Sequence, residues 1–302
     1  MTSPAIQIRR LPHNPIILPR QLPLFDRCNI NGPSLIRAPE WLPDRLGTYY
    51  LYFAHHAGRY IRLAVSDDIS GPWRVHRPGS LRLADATGCR EHIASPDVHV
   101  DHEKREIRMY FHGVMAGKSE QASFVANSTD GLNFSASADP IADFYLRVVR
   151  WRDQLVGMSK GGRMYLGAPG GQRLEPLLVP AFPMSGRSAN GRGDVRHVAL
   201  RCAGDRLTVY FTRIGDRPES ILVAEIDLSK QNAEWLAGTA RLVLRPETDW
   251  EGAGFALRES RSGAARRPEN ALRDPAIYEE NGRVFLLYSV AGERGIAMAE
   301  LL

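Results

Sequence analysis

Residues 49–73 read YYLYFAHHAGRYIRLAVSDDISGPW. Two apolar runs, Tyr49–His55 and Tyr60–Ser66, flank a turn that contains Gly58, and both are rich in aromatic, leucine and β-branched side chains. Short runs of this composition bounded by turn residues are strands joined as a hairpin. A further run, Pro33–Arg37, precedes the hairpin, and Trp73–His76 follows it. The unit is therefore three or four short strands in succession.

The same unit recurs along the chain. The second copy is Pro96–Val100, Ile107–His112 and Ser123–Ser128, with Phe134 after it, and the third is Tyr145–Val149, Gln154–Ser159 and Gly162–Gly167. The fourth is Arg196–Arg201, Arg206–Thr212 and Ser220–Asp227, and the fifth is Pro275–Glu279, Arg283–Ser289 and Gly295–Glu300. Turn residues join first to second strands at 44–47, 101–104, 152–153, 204–205 and 280–282. No stretch sustains a helical period. A β-rich unit repeated at this spacing means blades around an axis. The expected fold is all-β, a five-bladed β-propeller formed by residues 1–302 as one domain. The fifth copy supplies only three strands, so Ala5–Arg9 is expected to add the fourth, close the ring and cover an open sheet edge. Two stretches fall outside the repeat, Pro180–Gly193 and the arginine-containing Asp249–Leu272. Each is either a functional loop or a plain inter-blade connection.

Composition narrows the partners. The 302 residues carry a formal net charge of +5, with 43% hydrophobic and 24% charged side chains. The excess of arginine reads as scattered along the chain, which argues only weakly for an anionic ligand and gives no nucleic-acid fingerprint. Cys28, Cys89 and Cys202 lie far apart, without metal-ligand spacing or a disulfide framework. No run has the length of a membrane span, and Met1–Arg20 lacks an apolar signal core. The expectation is a cytoplasmic protein that binds neither nucleic acid nor membrane.

Three motifs carry a resemblance. YYLYFAHHAGRYIRLAVSDDISGPW (49–73), NSTDGLNF (127–134) and RDPAIYEENGRVFLLYSVAGERGIAMAEL (273–301) resemble blades of family 43 glycoside hydrolases and their relatives in families 32, 62, 117 and 130. The resemblance covers most of the chain and implies a propeller with an axial sugar pocket. In family 43 the first inner strand opens with a catalytic Asp directly before a Pro. The matching slot here is Gly32 before Pro33, and in the second blade it is Ser95 before Pro96. Only Asp274, before Pro275, retains the pair.

Aligning the five copies by their strands nominates Ser34, Asp97, Arg147, His197 and Asp274 near the starts of the first strands. The ends of the second strands nominate His55, His56, His112, Lys160, Arg213 and Ser289. Inverting hydrolysis needs one acid and one base, so Asp97 and Asp274 are the catalytic candidates, with Glu251 as a third from the loop before the fifth blade. Ser34, His55, His56, His112, Arg147, Lys160, His197, Arg213 and Arg273 are the substrate-binding candidates. Asp97 can equally bind backbone amides at the channel, and Asp274 can cap a strand or pair with Arg273. Arg147, Lys160 and Arg213 aimed at one channel would repel one another unless an anion lay between them. No cofactor is expected. The resemblance alone raises an axial calcium near His112 and His197. The functional expectation is a glycosidase-like enzyme acting on a small carbohydrate with an acidic group. A non-catalytic sugar or anion binder and a phosphate-using phosphorylase are the alternatives.

Overall fold

The structure, a computed structural model, describes residues 6–170, 173–183 and 191–302. Strand β1 (Ile8–Arg10) comes first in the chain. Blade I is β2 (Asn31–Arg37), β3 (Tyr49–Ala54), β4 (Arg62–Ser66) and β5 (Arg74–His76). Blade II is β6 (Cys89–Asp101), β7 (Glu106–Met115) and β8 (Gln121–Ser128), with the two-residue strands β9 (Ser135–Ala136) and β10 (Ala142–Asp143) both on β8. Blade III is β11 (Arg147–Trp151), β12 (Gln154–Met158), β13 (Met164–Gly167) and β14 (Glu175–Pro176). Blade IV is β15 (Val195–Ala203), β16 (Arg206–Arg213), β17 (Ile221–Asp227) and β18 (Arg241–Leu244). Blade V is β19 (Arg273–Glu280), β20 (Arg283–Ser289), β21 (Ile296–Leu301) and, as its outermost strand, β1.

The five-bladed ring read from the repeat is the observed fold. The closing strand pairs Ile8–Arg10 with Leu301–Ala299 and lies slightly C-terminal to the expected Ala5–Arg9. Ala5 itself is outside the described residues. Among the described residues no helix is long and apolar enough to cross a membrane.

The middle strands explain their own composition. β3 is buried along its whole length because both of its faces are covered by neighbouring blades. Its alternation decides which neighbour each side chain meets. Tyr50 and Tyr52 join a cluster with Ile107, Met109 and Phe111 of blade II, whereas Leu51 and Phe53 join Phe285 and Leu287 of blade V. On β16, Val209 and Phe211 face Val156 and Met158 of blade III, while Tyr210 faces Leu286 and Tyr288 of blade V. Tyr110 packs with Val148 and Tyr165 in the remaining wedge, between blades II and III. Stability thus resides between blades. Truncating a wedge residue such as Phe53 to Ala is expected to cost about 3–5 kcal/mol.

The inner strands β2, β6, β11, β15 and β19 run side by side around the axis. From Ser34, Asp97, Arg147, Ala199 and Ala276 onward they line an axial cavity of about 760 Å³. Their N-terminal ends meet at the opposite mouth.

Candidate active site

Four inner strands carry the same irregularity. The ladder steps from Asn31↔Ala54 to Ser34↔Tyr52, from Ala94↔His112 to Asp97↔Tyr110, from Val195↔Arg213 to Val198↔Phe211, and from Arg273↔Ser289 to Ala276↔Leu287. Each step inserts one extra residue on the inner strand, a β-bulge that re-aims a side chain. The first bulged residues are Gly32, Ser95, Arg196 and Asp274. Gly32, Ser95 and Asp274 have φ of +58°, +49° and +47°, and Tyr145, just before β11, has +63°. These backbones, sterically costly for residues other than Gly, recur around one axis, which marks them as one set of equivalent positions.

This equivalence corrects the strand-based alignment. Ser34, Asp97 and Arg147 lie two residues past the bulge slot, and His197 lies one past it; only Asp274 occupies the slot. The residues two past it stitch blades together. Ser34 Oγ accepts the Val98 N–H at 2.9 Å, and Asp97 Oδ2 accepts the Val148 N–H at 2.8 Å while bonding His99 Nε2 at 3.0 Å. Burial pushes the Asp97 pKa up, but His99, Arg147 and the Val148 N–H outweigh it and hold the carboxyl below its usual range. Arg147 reaches back to the carbonyls of Ser95 (3.0 Å) and Pro96 (2.8 Å).

Asp274 has different surroundings. It is 2% exposed. His197 Nε2 lies 3.1 Å from Oδ1, and Ser289 Oγ lies 3.0 Å from Oδ2. Burial, then the charge of Glu293, raises its pKa to about 7, against the opposing pull of Ser289, Arg273 and Arg147. Glu293 moves the other way despite burial, because Arg273, His56 and Asn29 favour its charged form. Arg273 is nearly inaccessible and grips three carboxylates, Glu219 at 2.8 Å, Glu269 at 2.8 Å and Glu293 at 3.1 Å. Arg196 adds a second guanidinium 3.3 Å from Glu219. Two cations and three anions are thus packed beside Asp274, so a further negative charge there is disfavoured.

Aromatic and imidazole groups complete the mouth. The Tyr145 ring lies 4.3 Å from that of His112 and 4.7 Å from that of His197. Burial raises the Tyr145 pKa, so the phenol stays protonated, and among the described residues its hydroxyl makes no hydrogen bond. Burial drives the pKa values of His112 and His197 well below the usual histidine value, and the surrounding cations add to the shift. His197 accepts the Asp274 N–H at Nδ1 (3.4 Å), which leaves Nε2 as the donor to the carboxylate. His56 is part-exposed, with Nδ1 3.7 Å from Glu293, and burial lowers its pKa as well.

The remaining candidates disperse. Glu251 is fully buried, and its carboxylate binds Arg10 Nε (2.8 Å), the Tyr288 hydroxyl (3.0 Å) and the Glu247 N–H (2.8 Å). It anchors the closing strand and does not fold over the mouth. Arg213 pairs with Asp216 at 3.2 Å. Lys160 sits 5.0 Å from the Phe144 ring centroid. Arg213 therefore has a partner of its own, whereas Arg147 and Lys160 both stand near enough to His112 to lower its pKa. His55 turns to the Cys28 thiol at 3.2 Å. Tyr145, Arg196, Glu219 and Glu293 were not nominated from sequence. The repeated X-Pro pairs Gly32-Pro33, Ser95-Pro96 and Asp274-Pro275 mark the register that would have found Tyr145 and Arg196.

Gly32 also explains the lost acid of blade I. A Cβ at this position would come within 2.9 Å of Ser95 Cα, so no larger side chain fits without a backbone shift. Among the described residues no group of three or more His, Cys, Asp or Glu side chains has a metal-holding arrangement. Calcium takes about 6–8 oxygen ligands, whereas this mouth offers imidazoles and guanidinium groups, and both His197 nitrogens are engaged by Asp274. The residues present do not fit an axial calcium.

No protein-family model matches the sequence. The chain is 36% identical over 319 residues to the uncharacterized protein R118 of Acanthamoeba polyphaga mimivirus, covering 97% of this chain and 89% of that protein. Among solved structures it resembles a family 43 β-xylosidase/α-arabinofuranosidase from a compost microbial metagenome in complex with xylotriose. That match has a TM-score of 0.64 at 16% identity and covers 93% of both chains. The GH43_1 enzyme of Xanthomonas citri complexed with xylose matches with a TM-score of 0.62 at 13% identity, over 93% of this chain and 90% of that one. At these identities the likeness establishes the fold.

Proposed function

The chain belongs to the family of the mimivirus protein R118, and we propose that it is a glycosidase-like enzyme that protonates the glycosidic oxygen of a small, acid-bearing saccharide with Asp274. The observation that carries this reading is the Asp274 carboxyl itself. It is buried at the axial mouth, held on a strained bulge between His197 and Ser289, with its pKa raised to about 7. A general acid works best when its pKa lies near the operating pH. The family 43 relatives of the same fold support a saccharide as the substrate, xylotriose and xylose being bound by two of them.

The chemistry balances with groups already present. Asp274 gives its proton to the leaving oxygen as the C–O bond breaks. The carboxylate that forms accepts hydrogen bonds from His197 Nε2–H and Ser289 Oγ–H. His56, neutral and oriented by Glu293, accepts the proton of the attacking water. The free phenol of Tyr145 donates to a sugar oxygen. Asp97, the other carboxylate expected to take part, is committed to the Val148 N–H.

A second reading starts from the same carboxyl together with its neighbour Glu293. Asp274 is the carboxyl in the mouth with a pKa near neutrality, whereas Glu293 stays ionised against Arg273. Inorganic phosphate arrives already ionised, so phosphorolysis would need the acid and cations but no base.

The test compares Asp274→Asn with the unaltered protein on two kinds of glycoside whose sugar carries a carboxylate or a phosphate. One kind has a nitrophenol leaving group, which departs without protonation; the other has a sugar leaving group. Loss of about 100-fold or more on the second kind, with little loss on the first, is expected of a general acid. Equal losses on both kinds, or no turnover of either by the unaltered protein, would contradict the assignment. Turnover that depends on added phosphate would favour the second reading.

A further inference from the structure

Five of the exposed arginines lie together along one cleft. The connection 255–271, between blades IV and V, forms with Arg217 one side of a cleft of about 1330 Å³. Arg217, Arg258, Arg261, Arg266 and Arg267 line it and are exposed. Two further arginines of the cleft are engaged, Arg192 with Glu259 and Arg273 with Glu269. Among the described residues none of the five exposed arginines makes an ion pair.

The connection is held in place. Ser260 is buried, its N–H donates to Asp216 O at 3.1 Å, and its hydroxyl accepts the Gly215 N–H at 3.0 Å. Arg196 donates to the carbonyls of Arg261 and Gly263. Ala265 is buried against Gly292. The backbone that carries these arginines is therefore fixed, and the two carboxylates of the cleft, Glu259 and Glu269, are already paired with Arg192 and Arg273. That arrangement is electrostatically unfavourable until an anion enters. The frame is also joined to the active site. Arg196 is the blade IV bulge residue, and Arg273, at the cleft floor, is the chain neighbour of Asp274.

We propose that this cleft binds tetrahedral oxyanion esters, phosphate or sulfate, on the saccharide whose glycosidic bond reaches Asp274. The proposal rests on the glycosidase-like reading for the identity of the saccharide. A phosphate or sulfate ester presents three terminal oxygens to arginine forks, against two on a carboxylate. Five unpaired guanidinium groups across one cleft match a ligand with several anionic oxygens, and arginine suits such groups better than lysine because of its planar fork of donors.

Calorimetric titration of the full chain tests it, with glucose 6-phosphate, glucose 6-sulfate and glucose as probes and a short single-stranded oligonucleotide as a polyanion of another class. The proposal expects the phosphate or the sulfate to bind, glucose to bind at least about tenfold more weakly, and the R266Q/R267Q variant to lose about tenfold or more for the ester. The stronger of the two esters identifies the source. The D274N variant is expected to retain ester binding while losing turnover, so failure of the cleft and failure of the acid read out separately. Equal binding of ester and glucose, no ester binding, ester binding unaffected by R266Q/R267Q at an unchanged melting temperature, or tighter binding of the oligonucleotide would each overturn the proposal.

Discussion

His197 turns both ring nitrogens on Asp274, Nε2 toward the carboxylate at 3.1 Å and Nδ1 toward the backbone N–H at 3.4 Å. One side chain thereby holds both the acid and the strained backbone that carries it. Replacing His197 with Ala leaves the buried Asp274 N–H without a partner and the carboxyl with Ser289 alone. The expected outcome is a loss of about 1–3 kcal/mol in urea unfolding. In the fraction that remains folded, kcat is expected to fall by about 100-fold, with KM changed little.

Asp274 makes stability depend on pH in an unusual direction for a carboxyl. Its folded pKa is raised from 3.8 to about 7, so between those values the native state binds a proton that the unfolded state does not. Stability therefore falls as pH rises through this window, and above it the full penalty of burying the charge remains. Asp274→Asn removes the titration. The stability of the variant relative to the unaltered protein is expected to improve by on the order of a few kcal/mol from pH 4 to pH 8, measured by urea unfolding at both ends. Turnover of a substrate with a poor leaving group is expected to decline as pH rises past about 7.

Asp97 and Glu251 are expected to behave as structural carboxylates. Asp97→Ala strands the Val148 N–H at an inter-blade seam and is expected to cost about 1–3 kcal/mol. Glu251→Ala leaves the buried Tyr288 hydroxyl and the Glu247 and Thr248 N–H groups without their acceptor and loosens the closing strand, at about 1–3 kcal/mol. For both, the kcat of the folded protein is expected to stay within about twofold, whereas acid–base catalysis is worth about 100-fold or more. A loss on that scale with an unchanged melting temperature would return either residue to the chemistry.

Gly32→Ala tests the packing at the mouth of blade I. The position combines a φ of +58° with a Cβ path that ends 2.9 Å from Ser95 Cα. The substitution is expected to destabilise the protein by about 1–3 kcal/mol, read as a lowered melting temperature.

The propeller was legible because each blade repeats a strand pattern that hydrophobic runs report directly. β3, β7, β16 and β20 fall where the apolar runs Tyr49–His55, Ile107–His112, Arg206–Thr212 and Arg283–Ser289 place them. The site was less legible because a bulge adds a residue without changing that pattern. Strand alignment put Ser34 and Asp97 level with Asp274, although they stand two residues past the slot that Asp274 occupies. Glu293, Glu219 and Arg196 were invisible for another reason. They lie on hairpin turns of blades V and IV and on inner strand β15, and no local pattern records which charges the closed ring brings together. The arginines of 255–271 were visible in sequence, but their freedom from carboxylate partners belongs to the folded arrangement.

The most direct test of the account is an NMR titration of the carboxyl carbons, with the Asp274 signal assigned by its absence in Asp274→Asn. The account predicts that Asp274 titrates near pH 7, and that Glu293 titrates below the usual glutamate range. An Asp274 that titrates at or below about 4, the value of an unperturbed carboxyl, would mean that it is ionised at neutral pH, and the acid assigned to this mouth would be lost.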